Sequence, residues 1–172
     1  MVYSGIESKN TSRNQIPSGI KRLVDWKLCK PGGINLDYGG GKYEKSTIYL
    51  AKHGIRNLIY DPGHYDDKYN KDILESCLLN GGANSATMLN VLNIIPTQEE
   101  RISAVENMFK HMHRSAVAII GVYEKRKDGN QEYTGMGWQN NQPLTFYENE
   151  LHKHFSHVKI YKKEGFLVVS FK

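Results

Sequence analysis

The segment from Ile34 to Asp61 constrains the fold more than any other part of this chain. It opens with Ile34-Asn35-Leu36-Asp37-Tyr38, where apolar and polar residues alternate, and runs straight into Gly39-Gly40-Gly41. Alternation with a period of two marks a strand. Three adjacent glycines mark a tight turn, because each adopts backbone conformations closed to other residues and each is costly to order. Ser46 to His53, with Ile48, Leu50 and Ala51, reads as a helix, and Gly54 suits its C-terminal cap. Asn57-Leu58-Ile59-Tyr60 is a second strand, closed by Asp61-Pro62-Gly63. Strand, turn, helix and strand in so short a span form a βαβ unit, with parallel strands and a right-handed crossover.

The rest of the chain extends this unit. Before it, Ile20, Leu23, Val24 and Leu28 predict a helix over 17–28 with one apolar face, stopped by Pro31-Gly32-Gly33. Residues 1–16 are polar and aperiodic and read as a flexible arm. After it, Asp72 to Leu79 predicts a short helix, and Ser85 to Ile95 a buried strand running into a loop. Thr97 caps a helix with Glu99 and Glu100 in its first turn and Ile102, Val105, Met108, Phe109 and Met112 on its apolar face. Ser115 to Tyr123 is a continuous apolar strand, as expected where both sheet faces are covered. Glu124 to Pro143 is a long polar loop, a kind of segment that often carries function in a compact domain. Thr145 to Phe155 reads as a helix, and His157 to Phe171 as two strands joined at Lys163-Glu164-Gly165. The expected fold is α/β: a Rossmann-like three-layer αβα sandwich with a mostly parallel sheet and a C-terminal antiparallel hairpin.

Composition narrows the class. The 172 residues, 39 % hydrophobic and 24 % charged, suit a single domain spanning 1–172 with a real core. No apolar run is long enough to span a membrane, and the N-terminal stretch has no apolar signal region. Cys29 and Cys77 stand far apart and form no disulfide framework, so a reduced, cytoplasmic setting is expected. The histidines are poorly spaced for a metal site, and no metal is expected. A net charge of +5 favours a phosphate-bearing partner, although the cations are scattered: Lys21, Arg22, Lys27 and Lys30, then Lys125 to Lys127, then Lys153, Lys159, Lys162 and Lys163.

Ligands of open α/β sheets sit beyond the carboxyl ends of the strands. The glycine turn ends the first strand there. Asp37 precedes it by two residues, and Asp61 ends the next strand, where a carboxylate can accept hydrogen bonds from a ribose diol. Together these describe a nucleoside site. A dinucleotide fingerprint fails, because Glu44 stands where the third glycine belongs. The acid ahead of the turn suits a ligand carrying positive charge.

At these residues the chain resembles class I S-adenosylmethionine-dependent methyltransferases. LDYGGGKYEKS is similar to their first motif, Asp61 in IYDPG to the acid that meets the ribose, and MLNVLNIIPTQEER to their fourth-strand region and the following helix. The resemblance is closest to compact bacterial and phage methyltransferase-like proteins associated with DNA phosphorothioation, and it covers residues 12–172. Its counterparts here are Ser12-Arg13-Asn14, Asp37 to Lys42, Tyr60-Asp61-Pro62, Val91 to Ile95, and Gly137-Trp138-Gln139 with Thr145 to Leu151. Tyr43 departs from the small residue expected in the turn.

The resemblance implies S-adenosylmethionine as cofactor, held by Asp37, Tyr38, Gly39, Gly40, Gly41, Asp61, Pro62, Asn90 and Val91. Asn90 and Trp138 would face the acceptor. For Asn90 and Asn93 the alternative is capping of the next loop, and for Trp138 a loop anchor. No Asn-Pro-Pro-Tyr, Asp-Pro-Pro-Tyr or Pro-Cys element points to a particular base chemistry. The acceptor is a nucleic acid, slightly favoured by charge, or a small molecule. A non-catalytic nucleoside- or nucleic-acid-binding protein on the same fold is the other reading.

Overall fold

The strands are β1 (Ile34–Tyr38), β2 (Arg56–Tyr60), β3 (Ala83–Leu89), β4 (Met112–Gly121), β5 (Glu132–Thr134), β6 (Gly137–Gln139), β7 (His157–Tyr161) and β8 (Phe166–Ser170). The helices are α1 (Ser18–Asp25), α2 (Lys45–Lys52), α3 (Asp67–Leu79), α4 (Gln98–Lys110) and α5 (Leu144–His152). They are seen in a computed structural model that describes residues 14–124, 128–134 and 137–171. Ser12, Arg13 and Lys125 to Lys127 lie outside the described residues.

Six strands form one sheet in the order β2-β1-β3-β4-β8-β7, and β5 pairs with β6 in a separate hairpin. β2, β1, β3 and β4 are parallel, whereas β8 and β7 are antiparallel. The fold is thus the expected Rossmann-like sandwich. The region likened to the family's fourth strand is this chain's third, beside β1. One face carries Ile20, Leu23 and Leu50 from α1 and α2 against Ile119 and Phe166. The other carries Val105, Met108, Tyr147 and Leu151 from α4 and α5 against Leu36 and Met88. Cys29 and Cys77 are buried and free, and burial pushes the Cys77 thiol up to about 11. Among the described residues no helix is long and apolar enough to cross a membrane.

Several elements differ in extent from the periodicity reading, each for a local reason. α1 stops at Asp25, three residues early. Leu28 N–H bonds Leu23 O at 3.0 Å and Lys27 N–H bonds Val24 O at 2.9 Å, with Lys27 left-handed at φ 54°. That is a Schellman ending with lysine in the place glycine usually takes, so no glycine announces it. α3 begins at Asp67 instead of Asp72, because the Asp66 side chain caps it by accepting from Tyr69 N–H at 2.7 Å. Its early turns are polar and largely exposed, which hid them from a search for apolar spacing. Met112 belongs to β4, not to the helix before it, and the loop 124–143 contains the β5–β6 hairpin.

A buried ion pair joins two of the helices. Arg101 and Glu150, 3 % and 5 % exposed, form a two-pronged bridge between α4 and α5. Arg101 also donates to Ile95 O at 2.8 Å and Pro96 O at 2.9 Å. This one guanidinium ties both helices to the segment that follows β3. Removing one partner of a buried pair strands the other charge. Glu150→Ala is expected to lower unfolding free energy by about 3 kcal/mol or more in urea denaturation. A loss under about 1 kcal/mol would show that Arg101 finds water or another partner.

Candidate active site

The glycine turn is packed by the protein's own groups. Gly39 and Gly41 have φ of 79° and 73°, conformations that a side chain resists. A Cβ on Gly39 would lie 2.3 Å from Val91 Cγ2, and one on Gly40 would lie 2.8 Å from the Asp37 carboxylate. So Val91, from the segment after β3, rests against the first glycine, and Asp37 lies against the second. Two of the three glycines are required by these contacts alone.

Asp37 belongs to a buried polar ladder on the sheet face toward α2. Alternation along β1 sends Asn35 and Asp37 to this face and Leu36 and Tyr38 to the other. Ser85 Oγ donates to Asn35 Oδ1 at 2.9 Å. Asn35 Nδ2 donates to Asn57 Oδ1 at 2.8 Å and Thr87 Oγ1 at 3.1 Å. Thr87 Oγ1 donates to Asp37 Oδ1 at 2.8 Å, and Asn57 Nδ2 approaches Asp37 Oδ2 at 3.4 Å. No ion pair reaches Asp37 among the described residues. Burial pushes its carboxyl up to about 6; the bonds from Thr87 and Asn57 oppose that rise and the nearby Asp61 charge adds to it.

Asp61, at the end of β2, grips the turn from the other side. Its Oδ2 accepts from Gly41 N–H at 2.8 Å and its Oδ1 from Gly63 N–H at 2.9 Å. His64 Nδ1 lies 3.1 Å from Oδ1. The Asp61 backbone is fixed in turn by Asn70, whose Oδ1 accepts the Asp61 N–H at 2.8 Å. Pro62 is half-buried beside it. The Tyr38 side chain is on the opposite face, stacked on Tyr60 at 4.4 Å and accepting from Asn107 Nδ2 at 2.8 Å. Burial raises its phenol well above the ordinary range. Only its backbone borders the turn.

Asn90 ends β3 in a left-handed conformation, φ 61°, with its N–H bonded to Gly121 O at 2.8 Å and its side chain exposed. Strained positions of this kind concentrate at functional sites. Asn93 is buried, donating to Gln139 Oε1 at 3.1 Å, and its Oδ1 has no hydrogen-bond partner among the described residues. The Trp138 indole donates to Asn140 Oδ1 at 2.8 Å. Asn140 is fully buried; its Nδ2 donates to Leu92 O at 2.9 Å and Ile95 O at 2.8 Å, and its N–H to Asn93 O at 2.8 Å. It therefore pins the β5–β6 hairpin against the end of β3. Trp138 takes part in that anchorage, the alternative weighed for it.

The structure brings Asp37, Gly39 to Gly41, Asp61 and Val91 together, with Asn90 at the neighbouring strand end. It adds Asn57, Thr87, Asn70 and Asn140, which no motif singled out. Asn57 and Thr87 stand at alternate positions in apolar strands, the one sequence signal that could have marked them. Among the described residues no three His, Cys, Asp or Glu side chains converge to hold a metal ion.

No protein-family model matches this chain, and no curated protein matches it. Solved structures share its fold, among them two methyltransferases. One is Burkholderia thailandensis 1,6-didemethyltoxoflavin-N1-methyltransferase with bound 1,6-didemethyltoxoflavin and S-adenosylhomocysteine. It is 15 % identical over 89 % of this chain and 75 % of its own, with a TM-score of 0.57. The other is a TehB-like SAM-dependent methyltransferase from Corynebacterium glutamicum, 17 % identical over 90 % of this chain and 88 % of its own, with a TM-score of 0.51. At identities this low the structural likeness shows the fold alone.

The Asp37 carboxyl carries a stability consequence of definite sign. Its folded pKa, about 6, lies above the ordinary 3.8. The folded state therefore holds a proton that the unfolded chain has already released. The favourable contribution is complete below about pH 4 and is lost as pH rises through about 6. Asp37→Asn removes the ionisable group, so the variant is expected to be more stable than the parent at pH 8 by on the order of 2 kcal/mol, narrowing toward zero near pH 4. Urea unfolding at both pH values checks this. An Asn variant less stable at pH 8 would contradict it.

Proposed function

We propose that this chain is an S-adenosylmethionine-dependent methyltransferase. The observation that carries the proposal is Asp37: a carboxylate buried at the glycine turn, held by two neutral donors and in no ion pair among the described residues. A buried charge without a partner is costly, and it persists where a ligand supplies the opposite charge. The cofactor offers an ammonium and a sulfonium. Asp61 would hold the ribose hydroxyls, since a carboxylate has about four acceptor positions and its protein donors leave some open. Gly39 to Gly41, Tyr38 through its backbone, Pro62 and Val91 would complete the cradle, as the resemblance to class I enzymes implies.

Bound S-adenosylmethionine supplies an electrophilic methyl group on sulfur. The chain's part is to hold the two reactants in line and keep water out. The hairpin pinned by Asn140 would close the acceptor side, with Asn90, Asn93 and Trp138 bordering it. A base is needed only if the acceptor must lose a proton. A second reading, a nucleic-acid-binding protein on this fold that transfers nothing, is favoured by one observation: both Asp61 oxygens already accept backbone N–H bonds, from Gly41 and Gly63, which compete with a ribose.

Calorimetric titration with S-adenosylmethionine, S-adenosylhomocysteine and NAD tests the cofactor. Micromolar binding of the first two and none of NAD is expected. Asp61→Ala should weaken binding at least ~10-fold, the loss of a charge-assisted hydrogen bond. Unchanged affinity in that variant would remove Asp61 from the ribose site. Formation of S-adenosylhomocysteine with an acceptor separates the enzyme from the binding protein.

A further inference from the structure

Two groups of cations far apart in the sequence meet in the fold. The Trp26 ring, at the end of α1, packs on the Tyr161 ring of β7 with centroids 4.8 Å apart. The Arg22 guanidinium lies 5.9 Å from the Trp26 centroid and the Lys159 ammonium 5.0 Å from the Tyr161 centroid. Lys21 and Lys27 flank Arg22 and Trp26, and Lys162 and Lys163 follow Tyr161 in the turn to β8. All four of these lysines are exposed, as is Lys159. The same two segments hold only two carboxylates, Asp25, paired with Arg22 at 3.4 Å, and Glu164. Six cations against two carboxylates concentrate most of the chain's +5 charge here.

The sheet register places this cluster on the rim that carries the candidate site. Leu89 is aligned with Gly121, Gly121 with Phe166, and Phe166 with Tyr161. The turn after Tyr161 therefore lies at the same end of the sheet as Asn90, three strands away. At about 4.8 Å per strand that is about 14 Å.

We infer that the joined end of α1 and the β7–β8 turn is a docking surface for single-stranded nucleic acid, whose backbone crosses it while the nucleotide to be modified lies at Asn90. A lone phosphate ligand calls for a closed pocket with a buried cation. Exposed lysines on flexible stems, spread along a rim beside two aromatic rings, suit a chain of phosphates instead. A single strand fits because a base held inside a duplex is not presented to a site at a strand end without leaving its stack. The modification at Asn90 rests on the methyltransferase reading; the docking surface stands on charge and geometry alone.

The test is fluorescence anisotropy with a 5′-fluorescein-labelled single-stranded oligonucleotide of ~20 nucleotides. With about four phosphates neutralised, affinity should fall about 50-fold between 50 and 200 mM salt. The double variant Lys162→Glu/Lys163→Glu should lose at least ~10-fold at 50 mM salt. The matched control Lys52→Glu/Lys110→Glu changes the same charge at exposed positions near the opposite end of the sheet and should lose much less. S-adenosylhomocysteine affinity, measured in parallel, should be equal in parent and both variants. Oligonucleotide binding without S-adenosylhomocysteine binding would uphold the surface and overturn the cofactor reading. No binding by the parent at 50 mM salt, or equal losses in the two double variants, would overturn the surface.

Discussion

The candidate site depends on one constraint: a buried carboxylate near the end of β1 that no ion pair among the described residues balances. Asp37 cannot turn outward, because Gly40 packs against it and Thr87 and Asn57 hold its oxygens. It is fixed by strands on both sides of β1, so its position follows from the parallel register of β2, β1 and β3. The proposed cofactor role of Asp37 would explain why a charge is kept where the fold must accommodate it at a cost.

The segment after β3 is the second support. Val91 fills the space beside Gly39, Asn140 bonds three backbone groups of residues 92–95, and Arg101 bonds one of the same groups, Ile95 O, together with Pro96 O. The first glycine, the left-handed Asn90 and the hairpin carrying Trp138 are thereby referred to one rigid stretch. Site precision of this kind comes from supporting contacts, not from the residues that would face a ligand.

Much of this was legible in the sequence. The βαβ unit, the two aspartates flanking the glycines and the closing hairpin follow from periodicity and turn chemistry, and β1 matches its reading residue for residue. What escaped has a physical pattern. α1 ended on a left-handed lysine and α3 began on a polar, exposed turn, so neither boundary had an apolar or glycine marker. Asn57, Thr87 and Asn140 are polar side chains satisfied by partners distant in sequence, and such pairing exists only once the strands are assembled. The cations of α1 and β7 looked scattered for the same reason. The three glycines announce a tight turn, but only the assembled fold shows that Val91 and Asp37 pack against two of them.

The most direct test of the central claim is carbon-13 NMR titration of the Asp37 carboxyl, assigned by comparison with Asp37→Asn, with and without S-adenosylhomocysteine. An apparent pKa near 6 in the free protein that drops by about one unit or more when the ligand's ammonium arrives is the predicted result. An ordinary pKa in the free protein, or a raised one that saturating S-adenosylhomocysteine leaves unchanged, would contradict the assignment of Asp37 as the cofactor's counter-charge.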